Sequence, residues 1–276
     1  MHNVITILIL LSLNLLYLLD IIGCIFIFLR VGKIYGHSNE KRMSLRIKFP
    51  FYLAVTYYLL AILSTCSINI SALCTHNSCT VESFIIDNIA EIILAINLFL
   101  GTILTLQTWK ILKNNYKLTY SWGKKNYIFW LIIIITIIIS ITLSIIDFLI
   151  KRIFFISLFA FVIYPIFLII NICFLIKIHL KLNKLDQSVN YNFSISELKK
   201  LRSYILLFIY QWIIIVIVIV YNLYLKLLFY KYWIVDLTYA MGGILHFILF
   251  INNEGFFFNP DSVVQQQDIH LSVEDR

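Results

Sequence analysis

Seven apolar runs dominate the sequence, each close to the ~20 residues that an α-helix needs to cross a bilayer. Hydrophobic residues make up 61% of the chain and charged residues 13%, well below the roughly 25% typical of soluble domains. The sequence therefore predicts an all-α integral membrane protein, a seven-transmembrane helix bundle over 1–252 followed by a cytoplasmic tail over 253–276 that we expect to be disordered. The predicted spans cover about 4–29, 50–72, 86–109, 127–147, 153–176, 203–225 and 234–251.

Only a few residues separate the fourth and fifth runs. The stretch "DFLIKR" places Asp147, Lys151 and Arg152 between them. Charged side chains are costly at the centre of a bilayer, so one merged helix is disfavoured. Two helices joined by a tight turn are predicted instead.

Lysine and arginine are distributed unevenly among the connecting segments, and this distribution predicts the orientation of the chain. Segments 30–50, 110–126 and 177–202 carry 6, 5 and 6 of these residues. The segments predicted on the other side of the membrane contain only 4 lysines and arginines in total; they are 1–3, 73–85, 148–152 and 226–233. By the positive-inside rule the basic segments face the cytoplasm, so the N-terminus lies outside and the C-terminus inside.

The same distribution explains the net charge of +8 without a nucleic-acid partner. The basic segment that precedes Pro50 anchors the cytoplasmic boundary of the second span, and anionic membrane lipids are its expected contact. Plasma membrane is the expected location.

Polar side chains recur on one face of several predicted helices. Such residues are costly inside a membrane unless they face the interior of a bundle or a cavity. The positions are Asn14 and Asp20, Asp87 and Glu91, Tyr164 and Asn171, Tyr204, Gln211 and Asn222, and Asp236, Tyr239, Gly243 and His246. They predict either a polar, outward-opening pocket or hydrogen bonds between helices, and the second alternative is favoured for Asn14, Asn97 and Asn171.

From these positions we predict a small-molecule site in the outer half of the bundle, formed by Glu91, Asn222, Asp236 and Tyr239. The outer segments are too short to hold a large ligand, which favours a small molecule bound between helices. Pro165 is expected to kink the fifth helix, and Gln211 is expected to act with it as a switch. Cytoplasmic coupling residues are predicted at Lys110, Lys177, Lys181, Lys199, Lys200 and Arg202.

The cysteines and histidines indicate little further chemistry. Cys74 and Cys79 flank "THNS" in an outer segment and are candidates for a disulfide, although spacing alone leaves their pairing open. Of the six histidines only His246 lies well inside a span, which disfavours a zinc hydrolase. We expect no enzyme activity, no metal and no cofactor. A receptor fits the odd number of spans and the basic inner segments; a small-solute transporter or channel is the alternative.

The stretch "RMSLRIKFPFYLAVTYYLL", a basic inner segment that runs into the second helix, resembles fungal seven-transmembrane proteins of the rhodopsin-like G-protein-coupled receptor type. This resemblance implies a seven-helix fold, signal transduction and a heterotrimeric G protein as a partner. Pro165 matches the proline of the fifth helix in that family. The chain departs from the family at Tyr57 and Tyr58, where an aspartate is usual, and at Thr108, Trp109 and Lys110, where an acidic-Arg-aromatic motif is usual.

Overall fold

The computed structural model describes residues 2–37, 45–73, 80–114, 127–150, 155–186, 192–225 and 231–255. These residues form seven α-helices. The helices are α1 (His2–His37), α2 (Leu45–Leu73), α3 (Thr80–Asn114), α4 (Tyr127–Ile150), α5 (Phe155–Asp186), α6 (Asn192–Leu225) and α7 (Lys231–Glu254). The predicted tail beyond residue 255, together with Cys74 and Cys79, lies outside the described residues.

Five helices in the described part of the chain are long and apolar enough to cross a membrane. The spans are Ile7–Gly36, Ile47–Ile70, Asn88–Lys113, Phe161–Lys184 and Leu198–Ile219, in α1, α2, α3, α5 and α6. The structure is therefore that of an all-α, multi-pass membrane protein. Helix α4 ends at Ile150 and α5 begins at Phe155, and the predicted turn between them lies outside the described residues.

Several helices continue well beyond their apolar runs. Helix α2 begins at Leu45, before the boundary predicted at Pro50, so this proline lies inside the helix. Helix α6 begins at Asn192, well before residue 203. Backbone hydrogen bonds close within a helix whether its surroundings are lipid or water, so a hydropathy boundary does not end the helix.

Six helices form a closed ring, and α4 packs outside it. The order around the ring is α1, α2, α3, α5, α6 and α7, with α7 returning to α1. Helix α2 also reaches α6 and α7 across the ring, and α3 reaches α6. Helix α4 contacts α3 and α5 and exposes apolar side chains such as Leu131, Ile138 and Leu149, as expected of a lipid-facing helix.

One end of the bundle carries the lysines and arginines whose side chains are described, and we call it the basic end. They are Arg30, Lys33, Lys48, Lys110, Lys113, Lys177, Lys181, Lys184, Lys199, Lys200 and Arg202. Here Arg30 of α1 donates to the carbonyl oxygens of Glu254 and Gly255 at 3.2 and 3.5 Å. Asn253 of α7 donates to Ser203 of α6 at 3.4 Å. These bonds tie the end of α7 to both of its neighbours.

Gly255 ends α7 with a left-handed cap. Its φ is 78°, and its amide donates to the carbonyl oxygen of Ile251 at 2.8 Å. Glycine adopts this conformation without the steric cost that a Cβ brings, and it is the usual residue at such a helix end. The carbonyl oxygen of Gly255 accepts a hydrogen bond from Arg30, so this helix end contributes to the contact between α7 and α1.

Candidate functional site

The interior of the ring is lined by aromatic and polar side chains. Trp212, Tyr17, Tyr57, Tyr164 and Tyr204 are among its largest fully buried residues. Asp20, Asn97, Asn171, Gln211, Tyr239 and His246 are buried with them. The polar faces predicted for the helices that carry these residues therefore lie inside the bundle.

Far from the basic end, four residues of α3, α5, α6 and α7 form a group that we call the Glu91 cluster: Glu91, Tyr164, Trp212 and Tyr239. The Tyr164 hydroxyl donates to Glu91 Oε2 at 3.2 Å. The Trp212 ring lies edge-to-face with Tyr164 at 5.2 Å and with Tyr239 at 6.4 Å between centroids. Because the half-buried Glu91 interacts electrostatically with Tyr239 as well, a carboxylate and three aromatic rings meet in one place.

Two of the four predicted ligand-binding residues, Glu91 and Tyr239, therefore belong to the same cluster. The Tyr239 hydroxyl is buried and has no hydrogen-bond partner among the described residues. Asn222 and Asp236 belong to α6 and α7, but their side chains lie outside the described part of the structure. Their predicted role stays a prediction.

Next toward the basic end, Asn97 of α3 joins three helices. It accepts a hydrogen bond from Trp212 Nε1 at 3.1 Å and donates to Thr56 Oγ1 of α2 at 2.6 Å. Asn171 of α5 similarly donates to Thr102 of α3 at 2.7 Å. Interhelical hydrogen bonding is thus confirmed for Asn97 and Asn171.

Asn14 behaves differently. Its side chain donates at 3.0 Å to the carbonyl oxygen of Leu10, one turn earlier in α1. The expectation of an interhelical bond at this position is wrong for the described contacts. A short amide side chain on a helix can reach its own backbone, and here that local bond replaces one to a neighbouring helix.

In the middle of the bundle, two adjacent glycines of α7 receive polar groups from other helices. The Gln211 amide of α6 packs against Gly242, and the Asp20 carboxyl group of α1 packs against Gly243. A Cβ at either position would overlap the polar group that lies there. The Tyr57 hydroxyl of α2 donates to Gln211 Oε1, so α2, α6 and α7 meet at this level.

His246 lies further along α7, toward the basic end. Its ring centroid is 5.3 Å from that of Tyr57 and 6.4 Å from that of Tyr204, with which it is stacked. Phe49 of α2 stacks on Tyr204 of α6, with ring centroids 6.2 Å apart. Neither ring nitrogen of His246 has a hydrogen-bond partner within the described residues. Aromatic contacts therefore continue from the middle of the bundle to the start of α2 and α6.

Tyr57 and Thr56 are site residues that the sequence did not identify as such. Tyr57 stood out only as a departure from the family pattern, yet its hydroxyl contacts Gln211. The buried positions Phe49, Leu53, Tyr57 and Leu60 repeat at four, four and three residues, which is the period of one helix face. That spacing was the available signal for an inward-facing Tyr57.

The predicted coupling and switch residues are found on helices of the ring. Lys110, Lys177 and Lys199 are exposed at the basic end, where Lys181, Lys200 and Arg202 are half-buried. Arg202 donates to His179 Nδ1 at 3.0 Å, which joins α6 to α5. Pro165 lies inside α5, one residue after Tyr164 of the Glu91 cluster.

Within the described residues, no three or more histidine, cysteine or acidic side chains are grouped so as to hold a metal ion. No protein-family model matches the chain, and a search of curated proteins finds no match either. Function is therefore inferred from the residues and their geometry.

Proposed function

We propose that this chain is a G-protein-coupled-receptor-like receptor that crosses the plasma membrane seven times, with its N-terminus outside and its basic end in the cytoplasm. Five apolar helices, together with α4 and α7 on the two remaining predicted spans, support this number of crossings. The single-sided distribution of lysine and arginine supports the orientation. An odd number of crossings places the two termini on opposite sides, as a receptor of this type requires.

In this orientation the Glu91 cluster lies in the outer half and is the proposed small-molecule site. Ligand sites in helix bundles combine apolar, largely aromatic walls with a few polar groups that fix orientation. The rings of Tyr164, Trp212 and Tyr239 supply the walls, while the Glu91 carboxylate and the Tyr239 hydroxyl supply the polar groups. Asn222 and Asp236 are proposed to complete the site from α6 and α7.

The observation that carries this proposal is the unbroken series of contacts from Glu91 to the basic end. Tyr164 and Trp212 connect Glu91 to Asn97. Tyr239 packs on the same tryptophan, Asn97 is hydrogen-bonded to Tyr57, and His246 and Tyr204 continue the series from Tyr57 along the axis. A ligand at Glu91 thus touches side chains that hold α3, α5, α6 and α7 together.

Signalling in this proposal follows from a difference in ligand affinity between two arrangements of these helices. Pro165 lacks a backbone donor and gives α5 a weak point next to Tyr164. Gln211 joins α6 to α2 through Tyr57, so its bond must change if α6 moves. Movement of α5 and α6 would then expose their basic ends, which carry Lys177, Lys200 and Arg202, and a G protein could bind there.

The test is nucleotide exchange on added Gα protein, with the purified chain in lipid nanodiscs and a library of small metabolites as the probes. We expect at least one compound to accelerate GTP binding, and Glu91→Gln and Tyr239→Phe to weaken that response. Tyr210→Phe is the matched control, because Tyr210 is 58% exposed on the outer surface of α6. If Glu91→Gln and Tyr239→Phe responded to the compound as strongly as the control Tyr210→Phe, the proposed site would be rejected.

A small-solute transporter is a second candidate, favoured by the acid, amide and imidazole buried midway through the bundle at Asp20, Gln211 and His246. Ionisable residues within membrane helices often mark the path of a solute or proton. Uptake or conductance by the purified chain in liposomes, with no effect on Gα, would replace the receptor proposal with this one.

A further inference from the structure

The Asp20 carboxyl group occupies an unusual position for an acid in a membrane protein. Asp20 is only 2% exposed and lies near the middle of α1, about 15 Å along the helix from Arg30 at 1.5 Å per residue. Its carboxyl group is pressed against the backbone of α7 at Gly243. The glycine is what allows this approach, because any larger residue would displace the acid.

No lysine or arginine in the described residues contributes an electrostatic interaction to Asp20. The hydrogen bond that it accepts comes from the Cys24 thiol, with Sγ 3.5 Å from Oδ1, and thiols are weak donors. A carboxylate without a counter-ion loses its hydration on burial and regains little of that energy from such a bond. An ionised Asp20 would therefore strongly destabilise this arrangement of helices.

The titratable groups around Asp20 come from the three helices that meet there. Cys24 belongs to α1 itself, Tyr57 of α2 interacts with the acid electrostatically, and His246 of α7 packs on the Tyr57 ring. Each of these side chains is uncharged in its ordinary state at neutral pH. A proton on the carboxyl group removes the charge without requiring a partner from any of them.

We propose that Asp20 is a proton-binding site inside the bundle, occupied while α1 is packed against α7 at Gly243. An O–H bond forms on the carboxylate when the two helices close around it, and the proton returns to solvent when they separate and water enters. Proton occupancy is thereby linked to the α1–α7 contact, whether the chain acts as a receptor or as a transporter. The inference does not depend on the proposed ligand site.

The first experiment measures infrared absorption of the purified chain in nanodiscs at pH 7, with aspartate labelled by ¹³C at the carboxyl carbon. We expect a carboxylic-acid C=O band that shifts with the label and is absent from Asp20→Asn, a substitution of nearly equal size. Asp268→Asn, in the tail, is the matched control and should keep the band. Tyr57→Phe should shift the band but not remove it.

The second experiment counts protons released when the protein is unfolded by detergent in weakly buffered solution at pH 7. The wild type should release more protons than Asp20→Asn, up to one per chain, because an exposed aspartic acid ionises at this pH. If Asp20→Asn does not fold, the labelled band of the wild type and its shift in Tyr57→Phe decide the matter alone.

Two results would overturn the proposal. The first is a wild-type spectrum without a labelled carboxylic-acid band, which would show that Asp20 is ionised in the folded protein. The second is loss of the band when sodium chloride replaces choline chloride at constant pH. That loss would show that the site takes a metal cation in place of a proton. Retention of the band in both salts supports the proton.

Discussion

The contact between α3 and α6 at Gly101 gives the sharpest prediction about packing. A Cβ at position 101 would meet three atoms of the Phe208 ring, the farthest at 2.6 Å, and Phe208 is fully buried. Phe208 also packs against Trp212, with ring centroids 6.2 Å apart. The ring therefore has little room to yield. Because overpacking a tight core typically costs 1–3 kcal/mol, Gly101→Ala should lower the free energy of unfolding by about 2 kcal/mol.

Gly32→Ala is the matched control, because a Cβ there meets nothing within 4 Å. Alanine is the better helix former, so this change should be neutral or raise the free energy of unfolding by about 0.5 kcal/mol. Unfolding by sodium dodecyl sulfate in mixed micelles, followed by tryptophan fluorescence, measures both variants.

A double-mutant cycle with Phe208→Leu shows whether the cost arises at the predicted contact. The smaller leucine makes room for the new methyl group, so the penalty of Gly101→Ala should fall by at least about 1 kcal/mol in that background. An equal penalty in both backgrounds, or a Gly101→Ala variant as stable as Gly32→Ala, would refute the α3–α6 packing described above.

Two further substitutions test hydrogen bonds between helices. Asn97→Leu should lower the free energy of unfolding by about 1–3 kcal/mol, because it leaves Trp212 Nε1 buried without its acceptor. Asn14→Leu removes only a bond within α1, so it should have a much smaller effect in the same assay. Arg30→Gln should weaken the end of α7 by about 1 kcal/mol, so that amide exchange in its last turn becomes about fivefold faster, while the first turns of α2 exchange as in the wild type. An unchanged exchange rate would mean that Arg30 does not hold α7.

Run length predicted where the helices lie, and helical spacing predicted the inward faces of those helices whose polar side chains are described. The face shared by Tyr239, Gly243 and His246 follows from a period near 3.6 residues, and the structure buries all three. Helix ends were predicted less well. Hydropathy marks where lipid contact ends, whereas α2 and α6 continue into basic segments where no apolar signal remains.

The hydrogen-bond partners of the buried polar groups could not be predicted from the sequence. Whether Asn97 bonds to Thr56, or Tyr57 to Gln211, depends on which helices are neighbours and on their rotation and depth. The position of α4 outside the ring has the same origin. Its apolar residues allow either a central or a peripheral place, and only packing against α3 and α5 decides between them.

The most direct test of the receptor proposal is the side of the membrane on which each terminus lies. Epitope tags placed before residue 1 and after residue 276 can be probed with antibodies in intact cells and in permeabilised cells. Seven crossings with the basic end inside predict that intact cells bind antibody at the N-terminal tag and that the C-terminal tag is reached after permeabilisation. Both tags on one side would mean an even number of crossings, and this result would contradict the proposed receptor.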